Sequence, residues 1–156
     1  MPLRFISGVT QADISRLQDH ILYLSSDDPL NNGATEYNGV NIMRFNDNAA
    51  AREPCWRAAE ADVRQRLPFD ISIIYAGGII DAPPGVGRSW AFTLRNGGID
   101  TAVTLTFAGL VQGDTWFAAP VNLTAGYMSW KCVPTNAPNA AAAHLAIFFR
   151  RNFTFS

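Results

Sequence analysis

Two alternating, almost uncharged segments constrain the fold of this chain most. The stretch GRSWAFTLRNGGIDTAVTLTF, residues 87 to 107, alternates large apolar with small or hydroxylated side chains on both sides of Asn-Gly-Gly. A period of two places alternate side chains on opposite faces of a strand. Asn96, Gly97 and Gly98 tolerate the positive φ of a tight turn. The stretch therefore predicts a β-hairpin, and its apolar face consists of Trp90, Phe92, Leu94, Val103, Leu105 and Phe107.

Further strand-like segments follow the same pattern from residue 37 onward. The clearest are FDISIIYAGGII (69–80), VNLTAGYMSWKCV (121–133) and AHLAIFFRRNFTF (143–155). About eight strands with turn signals at roughly ten-residue spacing are typical of antiparallel sandwiches, jelly rolls and barrels. We expect an all-β domain over residues 37–156, an antiparallel β-sandwich of jelly-roll type.

A different pattern precedes this domain. Residues 1–9 resemble a short apolar arm, and Thr10 is a suitable N-cap for a helix over residues 10–25. The apolar positions of that helix fall at spacings of three, four and three. The predicted docking and oligomer contacts are Phe5, Ile6 and Val9 in the arm and Ile14, Leu17, Ile21 and Leu24 in the helix.

The helix has two interpretations: it packs on its own domain, or it joins a short bundle about a symmetry axis. Two heptads alone are too few to hold a bundle together. The turn-rich stretch from Ser25 to Gly39 then predicts a linker. The first unit, residues 1–36, accordingly comprises an arm, a helix and most of that linker.

Composition indicates contact with other proteins. Of the residues, 48% are hydrophobic and 16% are charged, whereas soluble domains contain about 25% charged residues. Much of the surface is therefore expected to face neighbouring subunits. The net charge of −1 gives no support to nucleic-acid binding. No apolar run approaches the length of about 18 residues that a membrane span needs, and MPLRFISGV lacks the core of a signal peptide.

Groups that could perform chemistry are few and scattered. His20 and His144 lie in no metal-binding spacing, so we expect no metal, no cofactor and no enzyme activity. Cys55 and Cys132 are expected to be buried thiols, with a disulfide as the less favoured alternative. Trp116, beside Phe117 near a turn, is the best candidate for a ligand contact.

Residues 60 to 150 resemble a small jelly-roll module of tailed-phage particles. The resemblance is carried by APPGVGRSWAFTLRNGGIDTAVTLTF, then VNLTAGYMSWKCV, then the alternating C-terminal strand. Such modules occur as head decorations, head fibres and receptor-binding tips of tail fibres, usually as trimers. The resemblance implies no catalytic residues. The segment WRAAEADVRQRL departs from the pattern.

Together these features predict a structural virion protein, assembled in the cytoplasm of a bacterial host. A capsid decoration, cement or head-fibre role fits the small size and the apolar N-terminal region. Expected partners are further copies of the chain in a homotrimer and the major capsid protein or another virion protein. The alternative is a receptor- or carbohydrate-binding tip of a tail fibre, whose partner would be a host surface glycan.

Overall fold

The structure, a computed structural model, describes residues 19–26, 28–41, 43–44, 55–116 and 120–152. Among these residues, Glu60–Asp62 form a 3-10 turn. The strands are β1 (Asp19–Ser26), β2 (Glu36–Asn38), β3 (Met43–Arg44), β4 (Gln65–Leu67), β5 (Ile71–Ile80), β6 (Gly85–Asn96), β7 (Ile99–Gly109), β8 (Gly113–Trp116), β9 (Val121–Leu123), β10 (Gly126–Thr135) and β11 (Ala143–Arg151).

These strands form two sheets around one apolar core. Sheet A has the order β3-β1-β11-β5, and β8 and β9 both pair with the far edge of β5. Sheet B has the order β2-β10-β6-β7, and β4 pairs with β10 beside β2. The pairings are antiparallel except for the short parallel contact between β1 and β3. The prediction of an all-β antiparallel sandwich is confirmed.

The hairpin of residues 87 to 107 forms as predicted. Its strands are β6 and β7, and Gly97 and Gly98 turn the chain with φ values of 60° and 81°. The rings of Phe92 and Phe107 pack edge to face with centroids 5.5 Å apart. The side chains of the predicted apolar face are all fully buried, namely Trp90, Phe92, Leu94, Val103, Leu105 and Phe107. The sequence of this one stretch therefore predicts six of the residues that form the core between the sheets.

The predicted helix is wrong over residues 19–25, which belong to β1. This strand pairs residue for residue with β11, from Asp19 opposite Arg150 to Ser25 opposite His144. Leu24 points into the core and is 0% exposed, whereas Ile21 is exposed on the outer face. Because both faces of β1 carry large apolar side chains, the period of two was masked and the helical spacing dominated. The remainder of the predicted helix and the arm lie outside the described residues.

The segment after β1 packs on the sandwich. The Leu30 side chain is buried, and its N–H donates to the carbonyl of Ala141 at 2.9 Å. Asp28 accepts from the backbone N–H of Cys55 at 2.6 Å. The predicted boundary between residues 36 and 37 falls inside β2, and the docking role of the first unit stays a prediction.

Candidate binding surface

The outer face of sheet A carries three rows of side chains that cross the strands. Residues directly opposite each other on neighbouring strands lie on the same face of a sheet. The first row holds Ile21, Phe148 and Tyr75; the second holds Tyr23, Ala146, Gly77 and Thr115; the third holds Ser25, His144, Ile79 and Gly113. None of these residues is Asp, Glu, Lys or Arg, so this part of the face bears no fixed charge.

A groove of about 590 Å³ follows the middle row. Ala146 and Gly77 give it a low floor, because neither has a side chain beyond Cβ. Tyr75 stands on one side, while His144 and Ile79 stand on the other. The volume lies within the range of ~300–1,000 Å³ that small-molecule sites occupy. The face can therefore accept a ligand as well as a flat partner.

Three positions at the groove are occupied by glycine, and the structural reason for glycine differs among them. A Cβ at Gly78 would lie 2.6 Å from Leu145 Cδ2, so core packing requires glycine there. A Cβ at Gly77 would lie 3.1 Å from the hydroxyl oxygen of Tyr75, so glycine lets that side chain lie along the strand. At Gly113 the nearest heavy atoms would be 3.9 Å from the Cβ. Only at Gly113 is there room for a larger side chain.

One buried hydroxyl orients the imidazole at the groove. Ser25 Oγ lies 2.7 Å from His144 Nδ1, across the paired strands β1 and β11. Ser25 is only 2% exposed, which leaves its hydroxyl inaccessible to a ligand. The pair therefore fixes the ring and leaves His144 Nε2 as the polar atom available to the groove, rather than presenting a serine nucleophile.

The outer face of sheet B is organised by charge instead. Arg95 donates to Glu60 Oε2 at 2.5 Å, and its Nε lies 2.7 Å from Asp100 Oδ1. Lys131 also pairs with Asp100, and Ser129 Oγ donates to Glu60 Oε1 at 2.5 Å. We call these residues the sheet B ion network. It ties the 3-10 turn to β6, β7 and β10.

Titration of two groups is altered by these surroundings. Partial burial of Asp100 acts to raise its pKa, but the hydrogen bond and charge of Lys131 and the charge of Arg95 prevail, and the pKa is lowered below its ordinary value of 3.8. Burial, with a smaller contribution from the charge of Glu36, raises the pKa of the Cys132 thiol well above 9.0. Such a thiol stays protonated and is a poor nucleophile.

One end of the sandwich exposes three apolar side chains, Val86 at the start of β6 and Leu110 and Val111 in the turn between β7 and β8. These residues are 84%, 74% and 54% exposed. Gly85 pairs with Gly109, so the start of β6 lies beside the end of β7 and the turn that follows it. We call these three residues the apolar loop end. The first described residue, Asp19, pairs with Arg150 and therefore lies at the opposite end of sheet A from His144 and Ile79.

The predicted contact residues separate into three groups. Ile21 is exposed and belongs to the outer face of sheet A, whereas Leu24 is a core residue and cannot contact a partner. Trp116 is half-buried in β8 and packs partly against the core, so it is a weaker ligand candidate than its position near a turn indicated. The others lie outside the described residues, namely Phe5, Ile6, Val9, Ile14, Leu17 and Phe117.

Sequence reasoning missed the groove residues. The sequence shows that His144 lies in no metal-binding spacing, but it does not show that the residue lies beside Tyr23 and Tyr75 in the folded chain. The signal available in the sequence was weak: two adjacent glycines, Gly77 and Gly78, in an otherwise apolar strand. Glycine inside a strand often marks a close approach of a ligand or another backbone.

The expectations on thiols, metals and membranes can be compared with the described residues. Cys55 and Cys132 are both buried, in agreement with the prediction. No group of three His, Cys, Asp or Glu side chains in the described ranges is placed to hold a metal ion. Within the same ranges, no helix has the length and apolar character needed to cross a membrane.

Comparison with known proteins adds no relative. No protein family, curated protein or solved structure matches this chain.

Proposed function

We propose that the protein is a structural component of a tailed-phage particle, a jelly-roll capsid decoration or head-fibre protein. In this role its N-terminal region binds the particle, and copies of the chain associate with each other as a homotrimer. The observation that carries the proposal is the apolar loop end, because exposed apolar patches mark protein interaction sites.

The strand pairing supports a jelly roll. The chain pairs in a nested order: β1 with β11, β2 with β10, β5 with β8 and β9, and β6 with β7. Each pair encloses the next along the sequence, as in a long antiparallel ribbon that is folded over itself. Wrapping such a ribbon so that its pairs alternate between two sheets yields the two interlocked Greek keys of a jelly roll. The pairings of β11 with β5 and of β10 with β6 join the ribbon into sheets.

The two ends of the sandwich support different roles, attachment to the particle at one end and contact between subunits at the other. Asp19, the first described residue, is at the end of the sandwich opposite the apolar loop end. A module attached through its N-terminal region would then direct Val86, Leu110 and Val111 away from the attachment point. Apolar burial supplies most of the affinity in protein association, and uncharged loops fit contacts between subunits.

Attachment is tested by deleting residues 1–9. We expect the truncated protein to keep its circular dichroism spectrum and to lose binding to the phage particle, measured by co-sedimentation with particles that lack the endogenous protein. Binding equal to that of the full chain would refute the docking role of Phe5, Ile6 and Val9.

Self-association is tested at the apolar loop end with the variant Val86→Asp/Leu110→Asp. We expect light scattering to show a trimer for the unaltered chain and a monomer for the variant, because buried unpaired carboxylates oppose association. The matched control is Ile99→Asp, which changes a side chain that is 73% exposed at the other end of the same hairpin. A monomeric unaltered chain, or a trimer that tolerates the double substitution, contradicts this assignment.

A further inference from the structure

We infer that the groove on the outer face of sheet A is a binding site for a neutral saccharide chain. This inference does not depend on the virion role, since it concerns a different surface from the N-terminal region and the apolar loop end. It rests on the charge, the aromatic side chains, the polar atoms and the glycine pattern of the groove.

The lining excludes a charged ligand. Among the described residues, Asp114 is the only acidic or basic side chain other than His144 that lines the groove, and its two carboxylate oxygens accept from backbone groups. Oδ2 accepts from the N–H of Thr106 at 2.5 Å, and Oδ1 accepts from the N–H of Thr115 at 2.8 Å. Within the part of the chain that the structure describes, no Lys or Arg lines the groove to bind a phosphate, a sulfate or a carboxylate. The complementary ligand is therefore uncharged.

Tyrosine rings supply the apolar part of the site. Tyr23 is exposed at one end of the middle row, and Tyr75 forms a side wall. The Tyr75 ring is held edge to face against Phe148, with centroids 5.5 Å apart, so its position is fixed before a ligand arrives. Tyrosine offers an apolar ring face and a hydrogen-bonding hydroxyl on one side chain. A pyranose ring has the matching pair of features, a C–H face and a rim of hydroxyl groups.

Polar atoms lie within the same groove. Ser25 holds His144 through Nδ1, which leaves Nε2 to bind a hydroxyl group, and Thr115 is exposed on the neighbouring edge strand β8. Imidazole and hydroxyl groups can each donate or accept, as sugar hydroxyls require. An apolar cavity with a few placed polar groups is the usual composition of a ligand site.

Gly113 supplies an independent argument. Glycine in a strand weakens the strand because it has more backbone freedom to lose on folding and no side chain to pack. Neither a positive φ nor a close contact requires glycine at position 113. Its φ is not positive, and an added Cβ would meet nothing closer than 3.9 Å. Its missing side chain keeps this end of the groove open. Space for a ligand explains a residue that folding alone does not require.

The test is a calorimetric titration of the full chain with cellotriose, maltotriose and chitotriose, and with trigalacturonic acid as an anionic comparison. We expect at least one neutral trisaccharide to bind with a dissociation constant of about 1 mM or tighter, and trigalacturonic acid not to bind. Tyr23→Ala should weaken that binding about tenfold, the scale of one lost aromatic contact. Gly113→Val should abolish it by filling the groove, while the unfolding temperature stays equal or rises because valine favours strands.

A matched control distinguishes loss of a tyrosine in the groove from loss of an exposed tyrosine elsewhere on the surface. Tyr127→Ala removes an exposed tyrosine from the outer face of sheet B, where it stacks with Arg64, and it should leave saccharide affinity unchanged. Absence of binding by all three neutral trisaccharides overturns the inference, as does binding that survives both Tyr23→Ala and Gly113→Val. If no trisaccharide binds and Tyr23→Ala dissociates an oligomer, the outer face of sheet A is a subunit contact and the inference is wrong. The proposed self-association would then hold, but it would use this face instead of the apolar loop end.

Discussion

The two outer faces of this sandwich differ in whether their side chains have partners within the chain. On sheet B, the charged groups of Glu60, Arg95, Asp100 and Lys131 contact one another. On sheet A, the three rows of paired residues on the outer face contain no Asp, Glu, Lys or Arg, and their tyrosines and histidine border an open groove that Asp114 also lines. The charged side chains on the outer face of sheet B thus bind one another, whereas part of the outer face of sheet A stays open to a ligand or a partner.

This difference separates stability from binding. Partners within the chain act in every folded molecule, so the sheet B ion network should contribute to the free energy of unfolding. Ile21 and Tyr23 stay 53% and 38% exposed, so they bury less of their surface on folding than core side chains do and should contribute less. Substitutions of similar size on the two faces should therefore have different readouts.

The largest effect is expected at Arg95. Arg95→Ala leaves Glu60, a largely buried carboxylate, without its guanidinium partner, and we expect a loss of about 3 kcal/mol in the free energy of unfolding. On sheet A, Phe148→Ala should cost about 1 kcal/mol or less, since Phe148 is partly exposed already. Urea denaturation of both variants measures the contrast. Equal losses on the two faces would show that the network does not set sheet B apart.

The core of sheet B was predictable because its strands have one apolar and one polar face. Trp90, Phe92 and Leu94 alternate with Ala91 and Thr93, so the period of two is visible without any knowledge of neighbours. Strand β1 has no such contrast, since Ile21 and Leu24 are both apolar although only one is buried. Local spacing therefore predicted a helix there, and pairing with β11 decided the outcome.

The groove was not predictable because its residues are far apart in the sequence. Its rows join β1, β5, β8 and β11, and each row exists only because those strands pair in a particular register. Ser25 and His144, which are 2.7 Å apart, are 119 positions apart in the chain. A shift of one residue in the register of β11 would turn His144 toward the core. Side-chain alternation reveals a strand's faces, but it does not reveal which strand lies beside it.

A second, smaller contrast lies within sheet A, between its inner and outer glycines. Gly78→Ala places a Cβ 2.6 Å from Leu145 Cδ2 and 2.9 Å from the His144 carbonyl, and we expect a loss of about 2 kcal/mol from overpacking. Gly113→Ala meets no close atom and should gain about 0.5 kcal/mol through reduced freedom of the unfolded chain. Thermal and urea unfolding measure both. A destabilising Gly113→Ala would reveal a folding requirement for that glycine and remove the argument that it serves a ligand.

A pH dependence confined to the sheet B ion network is expected to be smaller than the losses at Arg95 and Gly78. Asp100 has a pKa lowered below 3.8 by Lys131 and Arg95, so in acid the unfolded chain binds its proton more readily than the folded chain does. Its stabilisation is fully present above the unfolded pKa and is lost as the pH falls from about 3.8 through the folded value. Because Asp100 is 43% exposed, solvent screens these pairs and the contribution should be about 0.5–1 kcal/mol.

The variant Asp100→Asn isolates this contribution from the other carboxylates, which titrate in both proteins. The difference in unfolding free energy between the unaltered chain and the variant should be largest near neutral pH, shrink toward zero in acid, and shrink also in concentrated salt, where the Debye length falls to about 3 Å. Asp114→Asn, which alters a carboxylate that accepts only from backbone groups, should lack that sensitivity to salt. If the Asp100→Asn difference is instead constant across pH, the charge of Asp100 contributes nothing, and the stability of this face must come from the pairing of Arg95 with Glu60 alone.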